Sequence, residues 1–198
     1  MTPPVVKKTA DSPKRLLKSK KDWALWLEKN HGKRTGVWLR LGKKDSGVRS
    51  VSYKEALDVA LCYGWIDGQK RPENEKTWLQ RFAPRAENSL WSKINREKAT
   101  GLIANGEMKS AGLKAIEAAK ENRRWEAAYD SPSDAEVPGD LQAALDGNAQ
   151  SRAFFDKLDR ANRYAVLWRI QTAKKAETRA RKIREFVGML ERGEKIHP

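Results

Sequence analysis

Cysteine and histidine are nearly absent from this 198-residue chain, which has one cysteine, Cys62, and two histidines, His31 and His197. A single cysteine excludes an internal disulfide. Three such residues cannot furnish a tetrahedral zinc site of His and Cys ligands, so no metal is expected. A Ser-His-Asp triad would have to recruit the penultimate His197 or His31, and His31 suits the end of a helix better than the role of a base. There is no G-x-G-x-x-G, no P-loop and no H-E-x-x-H, which removes dinucleotide, P-loop and zincin chemistry and leaves no expected cofactor. No stretch approaches the ~20 apolar residues of a membrane span. The opening MTPPVVKKTADSPKRLLKSKK lacks the apolar h-region of a signal peptide, so a cytoplasmic location is the expectation.

Charge and tryptophan are abundant instead. Lys and Arg number 41 against 26 Asp and Glu, a net charge of +15, and the mean hydropathy is −0.81. That balance favours acidic partners such as nucleic acid, phosphorylated metabolites or anionic lipid. The competing reading is a solvated basic surface, the usual role of charge runs. Hydrophobic content of 39% with eight tryptophans is enough to fill a core.

Patterning divides the chain into three parts. Residues 1–20, broken by Pro3, Pro4 and Pro13, read as a flexible basic arm with little to bury. Residues 21–130 read as an α+β body. Asp22 is a candidate cap for a helix over WALWLEKN that closes at His31-Gly32. GVWLRLGKK alternates as a strand, and Ser52 opens an amphipathic helix that buries Leu57 and Leu61. WIDGQ and KTWLQRF form a hairpin through residues 71–75. The expected sheet is therefore three-stranded. Ser89 or Ser92 caps the helix WSKINREKATGLIANG, and Ser110 caps AGLKAIEAAKEN. After a proline-broken stretch to Asp140, residues 131–198 form a C-terminal helical bundle. Its last helix sets Ala176, Ala180, Ile183, Val187 and Leu190 along one seam. The fold class is α+β and mainly helical.

The candidate site lies between Leu61 and Asn95, where Trp65, Trp78 and Trp91 fall among Arg71, Arg81 and Arg85. Guanidinium forks and large rings together suit an anion or a planar ligand. Trp65 and Asp67 are two apart and share a strand face. A carboxylate beside an indole favours its neutral form, which makes Asp67 a weak candidate acid or base; the alternative is an ion pair with Arg81 or Arg85 that braces the hairpin. Arg81 and Arg85 precede a serine-capped helix start, where free N–H groups attract anions. Trp91 and Asn95 stand one turn apart on that helix. A second basic cluster comprises Lys174, Thr178, Arg179, Arg181 and Lys182, either an acidic-partner surface or a solvated helix flank.

The segments ALCYGWIDGQ, RFAPR, SLWSKIN, GEMKSAGL, RWEAAYDSP and AKKAETRARKI resemble the YdeI/OmpD-associated family, also labelled bacteriocin-protection proteins, from about Trp23 to His197. The resemblance implies a part in envelope stress or antimicrobial-peptide tolerance and implies no catalytic mechanism. It also implies a proline in the last segment, where this chain has Ala176. The leading reading is binding of an anionic small molecule or an acidic protein partner through Trp65, Asp67, Arg81, Arg85, Trp91 and Asn95. Two alternatives stand beside it. One is a non-specific nucleic-acid binder using the N-terminal arm and the 174–184 cluster. The other is a hydrolase or transferase that uses Asp67.

Overall fold

A computed structural model describes residues 12–198. The described chain is α+β, with eight α-helices and a four-stranded sheet. It divides into two compact units. The first holds residues up to Leu90 and Asn95–Glu126; the second holds Trp91–Ile94 and Ala127–Pro198.

The sheet of the first unit runs in the order β1 (Lys14–Arg15), β2 (Val37–Gly42), β4 (Thr77–Pro84), β3 (Trp65–Pro72). The expected three strands are thus four. The added β1 pairs parallel to β2, Lys14 against Trp38 and Arg15 against Leu39, with Trp38 N donating to Pro13 O at 2.9 Å. Backbone bonds alone make this strand, so no apolar pattern announced it. Of the segment expected as a flexible arm, residues 1–11 lie outside the described residues, and Lys14–Arg15 are an edge strand.

Helices α1 (Lys20–Asn30) and α2 (Tyr53–Cys62) cover one sheet face. Ser19, not Asp22, caps α1: its hydroxyl accepts from Asp22 N at 3.2 Å, and Asp22 sits in the first turn near the positive end of the helix dipole. Ser52 caps α2 with Glu55 in a reciprocal capping box. Trp23 lies at the centre of this core. It stacks on Trp26 at 5.2 Å, meets Trp65 edge-on at 6.3 Å, leans on Phe82 at 5.7 Å and donates its indole N–H to Ala56 O. Leu27, Leu39, Leu57 and Leu61 complete the apolar layer. Gly64, between α2 and β3, has φ 71°, and a Cβ there would lie 2.8 Å from Ala111 O. The position therefore admits glycine only.

Register fixes the faces. Val37 to Gly42 oppose Phe82 to Thr77, and Trp65, Ile66 and Asp67 oppose Pro84, Ala83 and Phe82. The pairing then slips, so that Lys70 opposes Gln80 and Pro72 opposes Trp78. Gly68 and Gln69 together face Arg81, which is a β-bulge. The buried Gln80 amide holds it by donating to Gly68 O at 2.9 Å.

Helix α3 (Lys93–Ala104) begins after Trp91, so Trp91 is not one of its residues. Ser89 closes a separate turn by accepting from Ala86 N. Helix α4 (Ser110–Glu121) starts at Ser110 itself, with Lys109 as cap residue and no side-chain cap bond.

The second unit packs α5 (Gly139–Asp146), α6 (Ala149–Asp156), α7 (Arg160–Gln171) and α8 (Ala176–Glu191). Leu141, Leu145, Phe155, Val166, Ile170 and Leu190 dominate its core. On α8, Ile183 and Leu190 are buried, Val187 is half-buried, and Ala176 and Ala180 are exposed, so the expected seam is shorter by its two alanines. Asp130 anchors the entry to this unit. It accepts from Lys93 Nζ and from Gln171 Nε2, and its carbonyl accepts from Tyr164 Oη at 2.8 Å. No helix among the described residues is long and apolar enough to cross a membrane.

Candidate functional site

Of the residues expected to form one pocket, the structure encloses Trp65 in the core and sets Asp67 and Arg81 on different sheet faces. Trp65 is fully buried in the tryptophan cluster and donates Nε1–H to His31 O at 2.9 Å, which makes it core. Asp67 lies opposite Phe82 in register, whereas Arg81 lies opposite Trp38. Adjacent residues of β4 project to opposite sides, so Asp67 and Arg81 occupy different sheet faces and do not form the expected brace. Asp67 instead accepts from Tyr53 Oη at 2.7 Å. Arg81 Nε is buried with no hydrogen-bond partner among the described residues. Arg85 serves the backbone: its N–H donates to Gly64 O and Nη1 donates to Leu90 O at 3.2 Å. Trp91 belongs to the second unit and Asn95 to the first.

The second expected cluster is also dispersed. Arg179 forms a two-pronged bond to Asp140, with Nε and Nη2 at 2.6 and 2.8 Å, and Nη1 donates to Ile170 O. Lys182 Nζ donates to Arg169 O, and Arg181 pairs with Glu185 at 3.6 Å. Lys174 is exposed, and Thr178 lies half-buried on α8.

What the fold does assemble is a basic cleft at the hairpin end of the sheet. Gly42, Lys43, Lys44, Lys70, Pro72 and Trp78 line about 600 Å³. The β-bulge creates it. Unbroken alternation would set Gln69 on the face of Trp65 and Asp67; the extra residue sets Lys70 there, with its Nζ 4.6 Å from the Trp78 ring centre. Lys43 and Lys44 follow β2 directly, and Lys43 N is held by Lys76 O at 2.9 Å. None of Lys43, Lys44 and Lys70 makes an ion pair among the described residues. A glycine inside the strand pattern of WIDGQ was the available sign of the bulge.

The indole in this cleft is held from behind. Tyr53 approaches Trp78 at 6.1 Å between ring centres, inclined at 44°. Tyr53 is in turn fixed by its bond to Asp67. Burial, followed by the hydrogen bond and charge of Asp67, pushes the Tyr53 phenol well above its ordinary range, so it stays a donor. A phenol so committed and a carboxylate so occupied act as struts. This geometry supplies charge and an aromatic face and shows no activated nucleophile.

Two other clefts differ in kind. One of about 660 Å³ is lined by Leu16, Arg40, Val48, Asn74, Lys76 and Thr77 among others. Its guanidinium is neutralised, since Arg40 donates to both oxygens of Glu73 at 2.6 and 2.7 Å. Within the second unit, Pro132, Tyr164, Trp168, Arg160, Arg169 and His197 border an apolar cleft of about 530 Å³. No group of three or more His, Cys, Asp or Glu among the described residues is placed to hold a metal ion.

Comparison with known proteins gives two family matches. Residues 134–193 match the model described as bacteriocin-protection, YdeI or OmpD-associated. This is the family that the sequence segments resemble, and the match covers the C-terminal region. Residues 15–115 match a different model, a domain of unknown function, DUF8412. No curated protein and no solved structure matches the chain. With just over half its length under the first model, the chain belongs to the DUF8412 family, and it carries a YdeI/OmpD-associated region at 134–193.

Proposed function

We propose that this protein binds an anionic ligand in the cleft of Lys43, Lys44, Lys70 and Trp78, and that it acts in the cytoplasm in stress or antimicrobial-peptide tolerance. One observation carries the binding reading. Three lysines that make no ion pair among the described residues line a cleft with a braced indole, and the Lys70 ammonium lies over its ring. Like charges gathered in a concavity cost free energy unless a counter-ion shares the space, and a bound anion supplies it. The cleft volume lies within the ~300–1,000 Å³ usual for ligand sites. Arg81 and Arg85 are outside this site, and no catalytic step is assigned to Asp67.

The test is a thermal-shift titration with pyrophosphate at constant ionic strength, with chloride as control. At a hundredfold excess over Kd the wild type should gain about 2.7 kcal/mol, or roughly 5–10 °C. The triple change Lys43→Gln, Lys44→Gln, Lys70→Gln should abolish the gain, and Arg81→Gln should keep it. An equal rise in the triple variant ends the proposal.

A further inference from the structure

We infer that the ligand of this cleft is single-stranded nucleic acid, with one base laid on the Trp78 indole and adjacent backbone phosphates on Lys43, Lys44 and Lys70. The inference rests on the anion-binding reading above and adds the ligand class. A simple phosphate has no use for an indole. A base does, because every base presents a π-face, and single-strand sites combine aromatic platforms with a cationic groove. Here the platform is rigid before binding: Tyr53 supports Trp78, and Asp67 fixes Tyr53 at 2.7 Å.

The placement of cations favours a strand over a mononucleotide. Lys43 and Lys44 follow β2, Lys70 lies across the cleft on β3, and all three are exposed. Lys76 continues the series beside Lys43, to which its carbonyl is bonded. On the opposite sheet face the neighbouring residue repeats the device, since the Arg71 guanidinium lies 4.6 Å over the Trp38 ring. Trp38 is itself core, 2% exposed, so the platform open to a base is Trp78, and its pairing with Lys70 is the basic-aromatic contact that the C-terminal cluster lacks. Duplex is disfavoured. Its bases are stacked on one another and present no free face to the indole.

Fluorescence anisotropy with a labelled twelve-residue oligothymidylate tests this, with the matching duplex, thymidine monophosphate and polyphosphate as competitors. The oligonucleotide should bind more tightly than the duplex or the monophosphate. The slope of log K against log salt should be roughly −2, as expected for about three contacts with a single strand. The triple lysine change should flatten that slope. Trp78→Leu should weaken oligonucleotide binding about tenfold or more and leave polyphosphate binding unchanged, and Trp78→Phe, which keeps an aromatic face and tests for misfolding, should restore most of the loss. Equal affinity for the duplex, equal affinity for the monophosphate, or indifference to Trp78→Leu would overturn the inference. Polyphosphate binding that still depends on the three lysines would then leave the anion reading standing. Binding of neither polymer would end both.

Discussion

The two units deploy the same residue types in opposite ways. In the first, tryptophan forms the core: Trp23 and Trp65 are fully enclosed, with Phe82 against them. Its cleft lysines stand without carboxylates. In the second, the core is aliphatic around Phe155, and several cations meet acidic neighbours: Arg152 meets Asp146 and Asp156, Arg179 meets Asp140, Arg192 meets Glu194, and Lys93 meets Asp130. A net charge of +15 is thus not spread evenly as a solvated coat. The second unit holds 14 Lys and Arg against 11 Asp and Glu and the first 27 against 15, so most of the excess lies in the first, where the cleft gathers three lysines.

The sharpest way to break this contrast is to ask whether the tryptophans of the first unit really divide into core and site. Trp65→Ala removes a side chain with no solvent exposure and orphans the His31 carbonyl. It should cost about 3–5 kcal/mol in urea unfolding. Trp78→Ala, at a half-buried cleft position, should cost much less and act on binding. A loss under about 1 kcal/mol for Trp65→Ala would return Trp65 to the candidate pocket.

The paired exception within the first unit offers the next test. Glu73 accepts from Arg40 and from Thr77, with Lys14 at 3.6 Å. The Arg40 guanidinium is the main cause holding the Glu73 carboxyl down at about 2, against an ordinary 4.5. A depressed folded value means stability that is present above about pH 4.5 and lost as pH falls toward 2. Arg40 is 37% exposed, so solvent screening reduces the effect to about 1–2 kcal/mol. Urea midpoints taken from pH 6 to pH 2 should fall less steeply in Glu73→Gln than in the wild type. Parallel curves would show that the pair contributes nothing.

Local chemistry was legible wherever it is written in consecutive residues. The Ser52 cap, the strand over residues 37–42 and the hairpin all follow from caps and alternation. The α1 cap was misplaced because Ser19 and Asp22 are both good cap residues three positions apart, and both touch the same turn. Strand β1 left no trace, since two exposed residues joined by backbone bonds have no period. The lysine cleft left a fainter sign. The bulge at Gly68–Gln69 reverses the phase of β3, so alternation grouped Gln69 with Asp67 when the fold groups Lys70 there. One inserted residue moves a lysine across the sheet and creates the cleft.

The smallest expected effect probes the second unit at Ala176, where the family resemblance implied proline. Helix α8 begins there, and Lys175 before it has φ −95° and ψ 134°. That extended conformation is the one a residue preceding proline prefers. Ala176 is the first helical residue, whose N–H has no acceptor within the helix, and the first helical bond runs from Arg179 N to Lys175 O at 2.9 Å. The side chain is exposed, so a pyrrolidine ring meets solvent. Ala176→Pro should therefore stabilise by about 0.4–1 kcal/mol, by narrowing the unfolded ensemble, and raise the melting temperature by roughly 1–4 °C. Ala180 is equally exposed but lies one turn inside, where proline removes a helical bond and collides with the preceding turn. Ala180→Pro should cost about 3 kcal/mol or more. Opposite signs for the two variants would fix the start of α8 to the residue. A loss at Ala176 as well would mean that the helix reaches back into Ala173–Lys175 and shortens the break between α7 and α8.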